Sequence, residues 1–413
     1  MSYIIFAKTF DMDFRIPNIR HLRVFCEVSY TRRISAASKI VHLSQSAVTQ
    51  AISKLETTFK LLLFDRRPEG MFITEPGSFF LKRVERGLLH VKKGALEALR
   101  ASTKKNNMGN KRFDRLLTTA QLRSLIAVSE TQNFSLAARS IGISQPTLYR
   151  SARQLENISG VPLFIKNKEG IALTKSALLL VKHIKLAFYE LKQGVMEIES
   201  WHQRYTGKIT VGCLPIAKTN LLPESICQFS KAYPYVNINI VDGTYSELLH
   251  DLRHGDVDFF ISPIRDPLPI ADVVQDFLFD DTMGLVVRSK HPALLQGEAS
   301  LDNLSKYPWI VAPKKTPIRD YFNGMFSDAG VDLPQQLVES NSLIVMRSLL
   351  QQSDTIALLS RHIIKFEEQF NLLKYLPLDL PKTKRPIGIT LRKDWHPTTT
   401  QSVFLDILRS IRT

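Results

Sequence analysis

At 413 residues the chain exceeds one typical core, and length alone predicts roughly two to four domains. A hydrophobic share of 44% with 23% charged residues is that of an ordinary globular, soluble protein. No apolar run reaches the ~18 residues of a spanning helix, because Ala177–Val181 is broken by Lys182 and Lys185, and the net charge of +16 is unevenly spread.

Residues 1–105 carry +10, residues 106–206 carry +7 and residues 207–413 carry −1. A basic half joined to a neutral half predicts that a polyanion is bound at one end. Three cysteines, Cys26, Cys213 and Cys227, fit a reducing cytoplasm and no disulfide framework. Met1–Phe10 lacks the early positive charge and longer apolar core of a secretion signal, so a cytoplasmic location is expected, with no membrane partner.

The first two hundred residues hold an internal repeat at an offset of one hundred. An apolar-periodic helix comes first, with Leu22, Phe25 and Val28 returning as Leu122, Leu125 and Val128. Ser35 and Ser135 are expected N-caps of a short Ala-containing helix. After a turn at His42-Leu43 or Gly142-Ile143, Ser44 or Ser144 caps a longer helix whose inner face in copy one is Val48, Ile52 and Leu55. Two short helices joined in this way predict a helix-turn-helix whose second helix enters the major groove.

Gln45, Ser46, Thr49 and Gln50 are then placed to reach base edges, since amide side chains pair with adenine. In copy two Gln145, Thr147, Tyr149 and Arg150 take those places, and Arg favours guanine. Ser35, Ser44 and Lys54 complete the expected DNA face of copy one, Ser135 and Ser144 that of copy two. Leu63-Phe64 to Thr74, and Leu163-Phe164 to Thr174, read as small hairpins turning at Glu-Gly. Arg66 and Arg67 in one wing, and Lys166 and Lys168 in the other, are expected to clamp phosphate. The alternative for each unit is a helical hairpin used only for packing.

A further helix follows each wing. Ala177, Val181, Ile184, Phe188, Leu191, Val195 and Ile198 are spaced in steps of four and three, a coiled-coil seam expected to pair two chains into a dimer or tetramer. The first copy has weaker occupants in the same register, Gly77, Leu81, Val84, Leu88, Val91, Ala95 and Ala98. The expected order is a winged unit at 17–76, a helix at 77–100, a flexible basic connector at 101–116, a second winged unit at 117–175 and a dimerisation helix at 176–204.

From residue 207 strands and helices alternate, which predicts parallel strands with crossover helices. Two lobes are expected, about 207–280 with 385–413 and about 281–384, and their arrangement resembles the periplasmic-binding-protein fold. The strand ends and helix starts offer candidate effector groups: Pro215, Ile216, Lys218, Thr219, Thr244, Ser262, Arg265, Thr316, Arg319, Asn341 and Ser342. Lys218, Arg265 and Arg319 lean toward an anionic carboxylate or phosphate ligand, and amides at helix starts favour the same oxygens.

Ser44-Gln45 through Leu55-Glu56, then Leu63-Phe64, and Thr74 with Gly77, resemble the N-terminal domain of LysR-type transcriptional regulators. The resemblance extends through Gly207–Thr413, where Gly255-Asp256-Val257-Asp258 and His291-Pro292 are similar to residues of the family's effector domain. It implies a regulator that binds double-stranded promoter DNA, changes its grip with a small-molecule effector and works with RNA polymerase. No cofactor, metal or catalytic residue is expected, because no phosphate loop, Cys-pair spacing or nucleophile elbow is present.

Three departures stand out. The family has one such domain and this chain two; Arg32-Arg33-Ile34 replaces the usual aromatic that copy two keeps as Phe134; and copy two has Tyr149 for Ser or Thr and Ala152 for a core aliphatic. Glu339 to Arg361, with Asp394-Trp395-His396-Pro397, resembles the branch that includes the galactose-binding-protein regulator, which implies a sugar-related effector. Competing readings are a metal site at His250 and His254, a redox sensor at Cys213 and an architectural DNA-coating protein without a ligand.

Overall fold

The computed structural model describes residues 16–102, 112–167, 170–201, 205–294 and 300–411. Two units are present: the chain to Lys208 together with Tyr235–Asn237 and His250–Asp256, and the remainder from Ile209. No helix among the described residues is long and apolar enough to cross a membrane.

In the first unit the chain forms α1 (Ile19–Thr31), α2 (Ile34–Val41), α3 (Gln45–Phe59), β1 (Phe64–Arg67), β2 (Gly70–Ile73) and α4 (Glu75–Ala101). After a 3-10 turn at Phe113–Leu116 the same series returns as α5 (Thr119–Thr131), α6 (Phe134–Ser140), α7 (Gln145–Ser159), β3 (Phe164–Asn167), β4 (Gly170–Leu173) and α8 (Lys175–Trp201). The periodic residues turn inward: Leu22, Phe25, Val28, Val48, Ile52 and Leu55 are buried, as are Leu122, Leu125, Val128, Leu148, Ala152 and Leu155.

Backbone hydrogen bonding explains which residues recur. Glu56 Oε1 accepts from the amides of Leu63 (3.0 Å) and Phe64 (3.2 Å), and Glu156 Oε1 accepts from Leu163 (2.8 Å) and Phe164 (3.1 Å). Each carboxylate thereby supplies the acceptors that the first wing strand lacks. The second wing strand bonds back to the end of the first helix, with the Met71 amide on Arg32 O (2.9 Å) and the Ile171 amide on Gln132 O (3.0 Å). Gly70 and Gly170 make this approach feasible, since a Cβ would lie 2.4 Å from Arg32 O or 2.9 Å from Gln132 O, at φ of 148° and 141°. Thr74 and Thr174 cap α4 and α8 through the Gly77 and Ala177 amides at 3.2 and 3.1 Å.

Ser35 and Ser135 are not caps. Ser35 lies inside the first turn of α2, whose cap position, Arg33, makes no side-chain bond. For α6 the cap is Asn133, whose Oδ1 accepts from the Ser135 (2.8 Å) and Leu136 (3.1 Å) amides. An aromatic or aliphatic residue opens each helix one position earlier than the serine, so the capping position falls on the residue before it.

The seam on α8 is covered from within the chain. α4 and α8 pack antiparallel: Gly94 faces the His183 Cβ, Gly194 faces the Arg83 Cβ, and Gly87 faces Ala187 O and Leu191. The first two contacts exchange when each residue is replaced by its repeat partner, so the two copies are related by an internal pseudo-twofold. Val181, Ile184, Phe188, Leu191 and Ile198 share one buried cluster with Phe80, Val84, Val91, Ala95 and Ala98, and Val195 packs at its edge. At the other contact between copies the Ile19 amide donates to Thr119 Oγ1 (3.0 Å), and the Arg23 guanidinium donates to the carbonyls of Asp114 and Arg115. A heptad-like stripe demands an apolar partner; the weaker stripe of α4 supplies it, where a second chain was expected.

From Gly207 the chain forms two lobes, of which residues 207–208, 235–237 and 250–256 group with the first unit and the rest make up the second. Lobe one opens with β5 (Gly207–Cys213), α9 (Leu221–Ala232), β6 (Val236–Asp242), α10 (Tyr245–His254), β7 (Phe259–Pro263) and β8 (Val273–Asp281). Lobe two follows with β9 (Met283–Arg288), α11 (Leu301–Leu304), β10 (Trp309–Val311), α12 (Pro317–Asp328), β11 (Leu337–Glu339), α13 (Leu343–Gln352), β12 (Ile356–Ser360), α14 (Lys365–Gln369) and β13 (Leu373–Tyr375). The chain then returns to lobe one as β14 (Arg385–Arg392) and α15 (Thr399–Ser410). The sheets run β6-β5-β7-β14-β8 and β11-β10-β12-β9-β13.

The sheets are mixed where parallel strands were expected. β5 with β7 and β10 with β11 and β12 are parallel, but β14 runs antiparallel to β7 and β8, and β9 antiparallel to β12 and β13. The strands that carry the chain between lobes supply these reversals. At this crossing Asp281 is fully buried and accepts from Ser360 Oγ (2.5 Å), His362 Nδ1 (3.0 Å) and Arg385 Nε (2.9 Å). Burial alone would raise its carboxyl pKa, but the bonds from His362 and Ser360 and the charge of Arg385 hold it below the ordinary range.

Candidate DNA interface and effector cleft

Both second helices present their N-termini outward. Ser44 accepts from the Ala47 amide (3.2 Å), and Gln45, Ser46, Gln50 and Lys54 are exposed beside it, with Thr49 half-buried and donating to Gln45 O (3.0 Å). In copy two Ser144 accepts from the Thr147 amide (3.4 Å), and Gln145, Thr147 and Arg150 are exposed. With the inner faces buried, each helix offers one turn of amide, hydroxyl and guanidinium groups to base edges.

Tyr149 is already engaged. Its ring stands edge-on to Phe134 (5.4 Å), and its hydroxyl accepts from Arg153 Nε (3.1 Å) while that guanidinium lies over the ring. Arg153 therefore joins this face, one turn beyond Arg150, although the sequence reading missed it. The offset pairing it with Ser53 was the available signal.

The wings differ in their partners. Arg66 pairs with Glu56 (3.3 Å) and Arg67 with Asp65 (3.4 Å), both arginines remaining more than half exposed. Phe72 sits between the Arg32 and Arg67 guanidiniums, at 5.5 and 5.1 Å, so Arg32 adds a cation to the first wing that the sequence reading treated only as a lost aromatic. Lys166 is exposed on β3, and Lys168 lies outside the described residues. Ser35 is exposed on α2 and Ser135 lies near the start of α6.

The effector candidates gather at strand ends and helix starts, but two of their three cations are already paired with carboxylates. Lys218 pairs with Asp242 (2.6 Å), the Arg265 guanidinium lies 3.6 Å over the Tyr245 ring, and buried Arg319 donates to Glu339 and to Ala312 O, both at 3.1 Å. Arg319 thus ties α12 to β10 and β11, and these contacts take the role expected of an anion. Thr316, Ser342 and Thr244 accept from helix-start amides at 3.3, 3.4 and 3.3 Å. Ile216 and Ser262 are buried, while Pro215 and Asn341 are exposed. Thr219 Oγ1 donates to His362 O (3.0 Å), a bond from lobe one to lobe two.

The other chemistries find less support. Cys213 is buried, and desolvation raises its thiol pKa to about 11, which keeps it protonated. The His250 and His254 rings stack at 4.0 Å, and burial lowers the His254 pKa to about 4. Among the described residues no group of three or more His, Cys, Asp or Glu side chains could hold a metal ion.

Comparisons with known proteins agree with this arrangement. The family described as bacterial regulatory helix-turn-helix protein, lysR family, matches residues 19–78 and again 119–178, and the LysR substrate binding domain matches residues 202–411. The transcriptional regulator GalR of Pseudomonas putida is 30% identical over 381 residues, covering 92% of this chain and 94% of that protein. PcaQ of Agrobacterium fabrum is 25% identical over 296 residues, 72% of this chain and 95% of that protein. A full-length OxyR variant from Pseudomonas aeruginosa shares the fold at a TM-score of 0.53 and 22% identity, covering 71% of this chain and 98% of that chain. The chain belongs to the LysR family of transcriptional regulators, as a member that carries the family's DNA-binding domain twice and its effector-binding domain once.

Proposed function

We propose that α3 and α7 are both inserted into promoter DNA and that a small polar effector between the two lobes alters this grip. The observation that carries the reading is the pair of exposed helix N-termini, with Gln45, Ser46 and Gln50 on one and Gln145, Thr147 and Arg150 on the other, in the part of the chain that holds the whole positive excess. Copy one supplies more of the sequence discrimination, because Tyr149 of copy two is held by Phe134 and Arg153. Lysine and arginine on the wings position the duplex.

The effector reading favours a sugar-related molecule over a carboxylate or phosphate. Lys218 and Arg319 are each paired with a carboxylate that an anion would have to displace, while Arg265 lies over the Tyr245 ring. Ligand acts through unequal affinity for the open and closed lobes. Such a regulator works in the cytoplasm and acts on RNA polymerase at the promoter. Binding of the full chain to promoter duplex should weaken steeply with salt and exceed binding to random duplex; a flat salt response or equal affinities would refute DNA reading. Thermal shifts over monosaccharides and carboxylates should single out a sugar, and a carboxylate alone would overturn the effector assignment.

A further inference from the structure

The seam between α4 and α8 carries a charge code as well as an apolar stripe. Arg83 is 5% exposed and donates to Glu190 (3.0 Å) and Glu197 (2.5 Å), and Arg86 donates to Glu190 (3.0 Å), which is 4% exposed. Every cation of this set stands on α4 and every anion on α8. The repeat partners of these residues form the other half of the seam: His183 lies between His90 (3.3 Å) and Glu97 (3.2 Å).

Because the helices are copies of one unit, the same antiparallel register is open to α8 with α8, or α4 with α4, from two chains. Two α8 helices would bring Glu190 and Glu197 together twice, four carboxylates facing two His183 rings and no guanidinium. Two α4 helices would set four guanidiniums against two His90 and two Glu97. Two α8 helices would thus bury carboxylates with no guanidinium, and two α4 helices would leave Arg86 against His90, with Glu97 alone to answer Arg83; buried charges without enough partners are costly, and such juxtapositions are how helix pairs reject wrong partners.

We infer that the charged seam commits each chain to pairing its own two readers, so that one chain spans two unlike half-sites of an operator in a single orientation. This rests on the reading that both α3 and α7 enter DNA. The half-sites must differ because the reading faces differ, Gln50 being replaced by Arg150 and Ser53 by Arg153. Self-association of this chain then falls to other surfaces.

Selection of full-length protein against a random duplex pool should enrich two different half-motifs in fixed order and spacing; enrichment of a single half-motif paired only with its own inverted copy would overturn the inference. On the selected duplex, a chain with Gln45→Ala and Gln50→Ala, and another with Gln145→Ala and Arg150→Ala, should each bind roughly a hundredfold more weakly. These residues are exposed, so folding is preserved. Mixing the two variants should restore nothing. Recovery on mixing would show that readers pair between chains and overturn the inference while leaving DNA reading by both heads intact. An α7 variant that binds like the wild type would instead refute the reading that copy two enters DNA, and the inference with it. For the seam itself, Arg83→Glu should lose two-site binding, and adding Glu190→Arg and Glu197→Arg should recover it; failure to recover would deny the charge code.

Discussion

The two readers share a scaffold and differ on the side that faces solvent. Residues that recur at the offset of one hundred are those the backbone needs: Glu56 and Glu156 for the wing amides, Gly70 and Gly170 for the approach to the first helix, Ser44 and Ser144 and Thr74 and Thr174 for helix starts. Gln50 and Arg150 diverge and are exposed, while Tyr149, in the place of Thr49, packs on Phe134. The frame is thus common to the two copies, while the exposed residues of α3 and α7 and the charges of the seam differ.

This comparison breaks first at the scaffold. Glu56→Ala and Glu156→Ala each strand two wing amides, and each should destabilise the protein by about 3 kcal/mol in denaturant titration. Near-equal losses are expected, since the frames match. Gly70→Ala forces a Cβ onto Arg32 O and should cost about 1–3 kcal/mol, with the wing's phosphate contacts loosened. Gly170→Ala should cost less, its closest contact being longer.

The seam offers a pH test. Burial, and then His183, lower the His90 pKa to about 4, and burial also lowers that of His183 despite the opposing pull of Glu97; Lys93 lowers both. A depressed histidine adds stability above its unfolded value near 6.5, and that stability is lost as pH falls toward the folded value. The melting temperature should therefore drop between pH 7 and pH 5, and His90→Gln should flatten this slope while leaving the Arg83 set in place. The smallest effect is expected at the wings: Lys166→Ala should lower affinity uniformly across sequences and reduce the salt slope by about one.

Much of this architecture was legible because periodicity and repetition are local signals. The steps of four and three marked the stripe on α8, and Leu55-Glu56 with Leu63-Phe64 marked the wing before any contact was visible. What covers a stripe is not local, so the seam read equally well as a contact between chains. The reversals at β9 and β14 escaped for a related reason, since strand direction is set by the path of the chain between lobes and not by local pattern. The effector cations were legible as charges but not as pairs. Lys218 with Asp242 and Arg319 with Glu339 meet only through the fold, at separations of about twenty residues that no spacing rule connects.

Division of labour between the heads is tested most directly by footprinting the full chain on its selected operator with each reader altered in turn. The account predicts that alanines at Gln45 and Gln50 erase protection over one half-site only, and that alanines at Gln145 and Arg150 erase it over the other. Loss of both half-sites to the same degree with either variant would contradict it, because identical readers would then be exchanging places on the DNA.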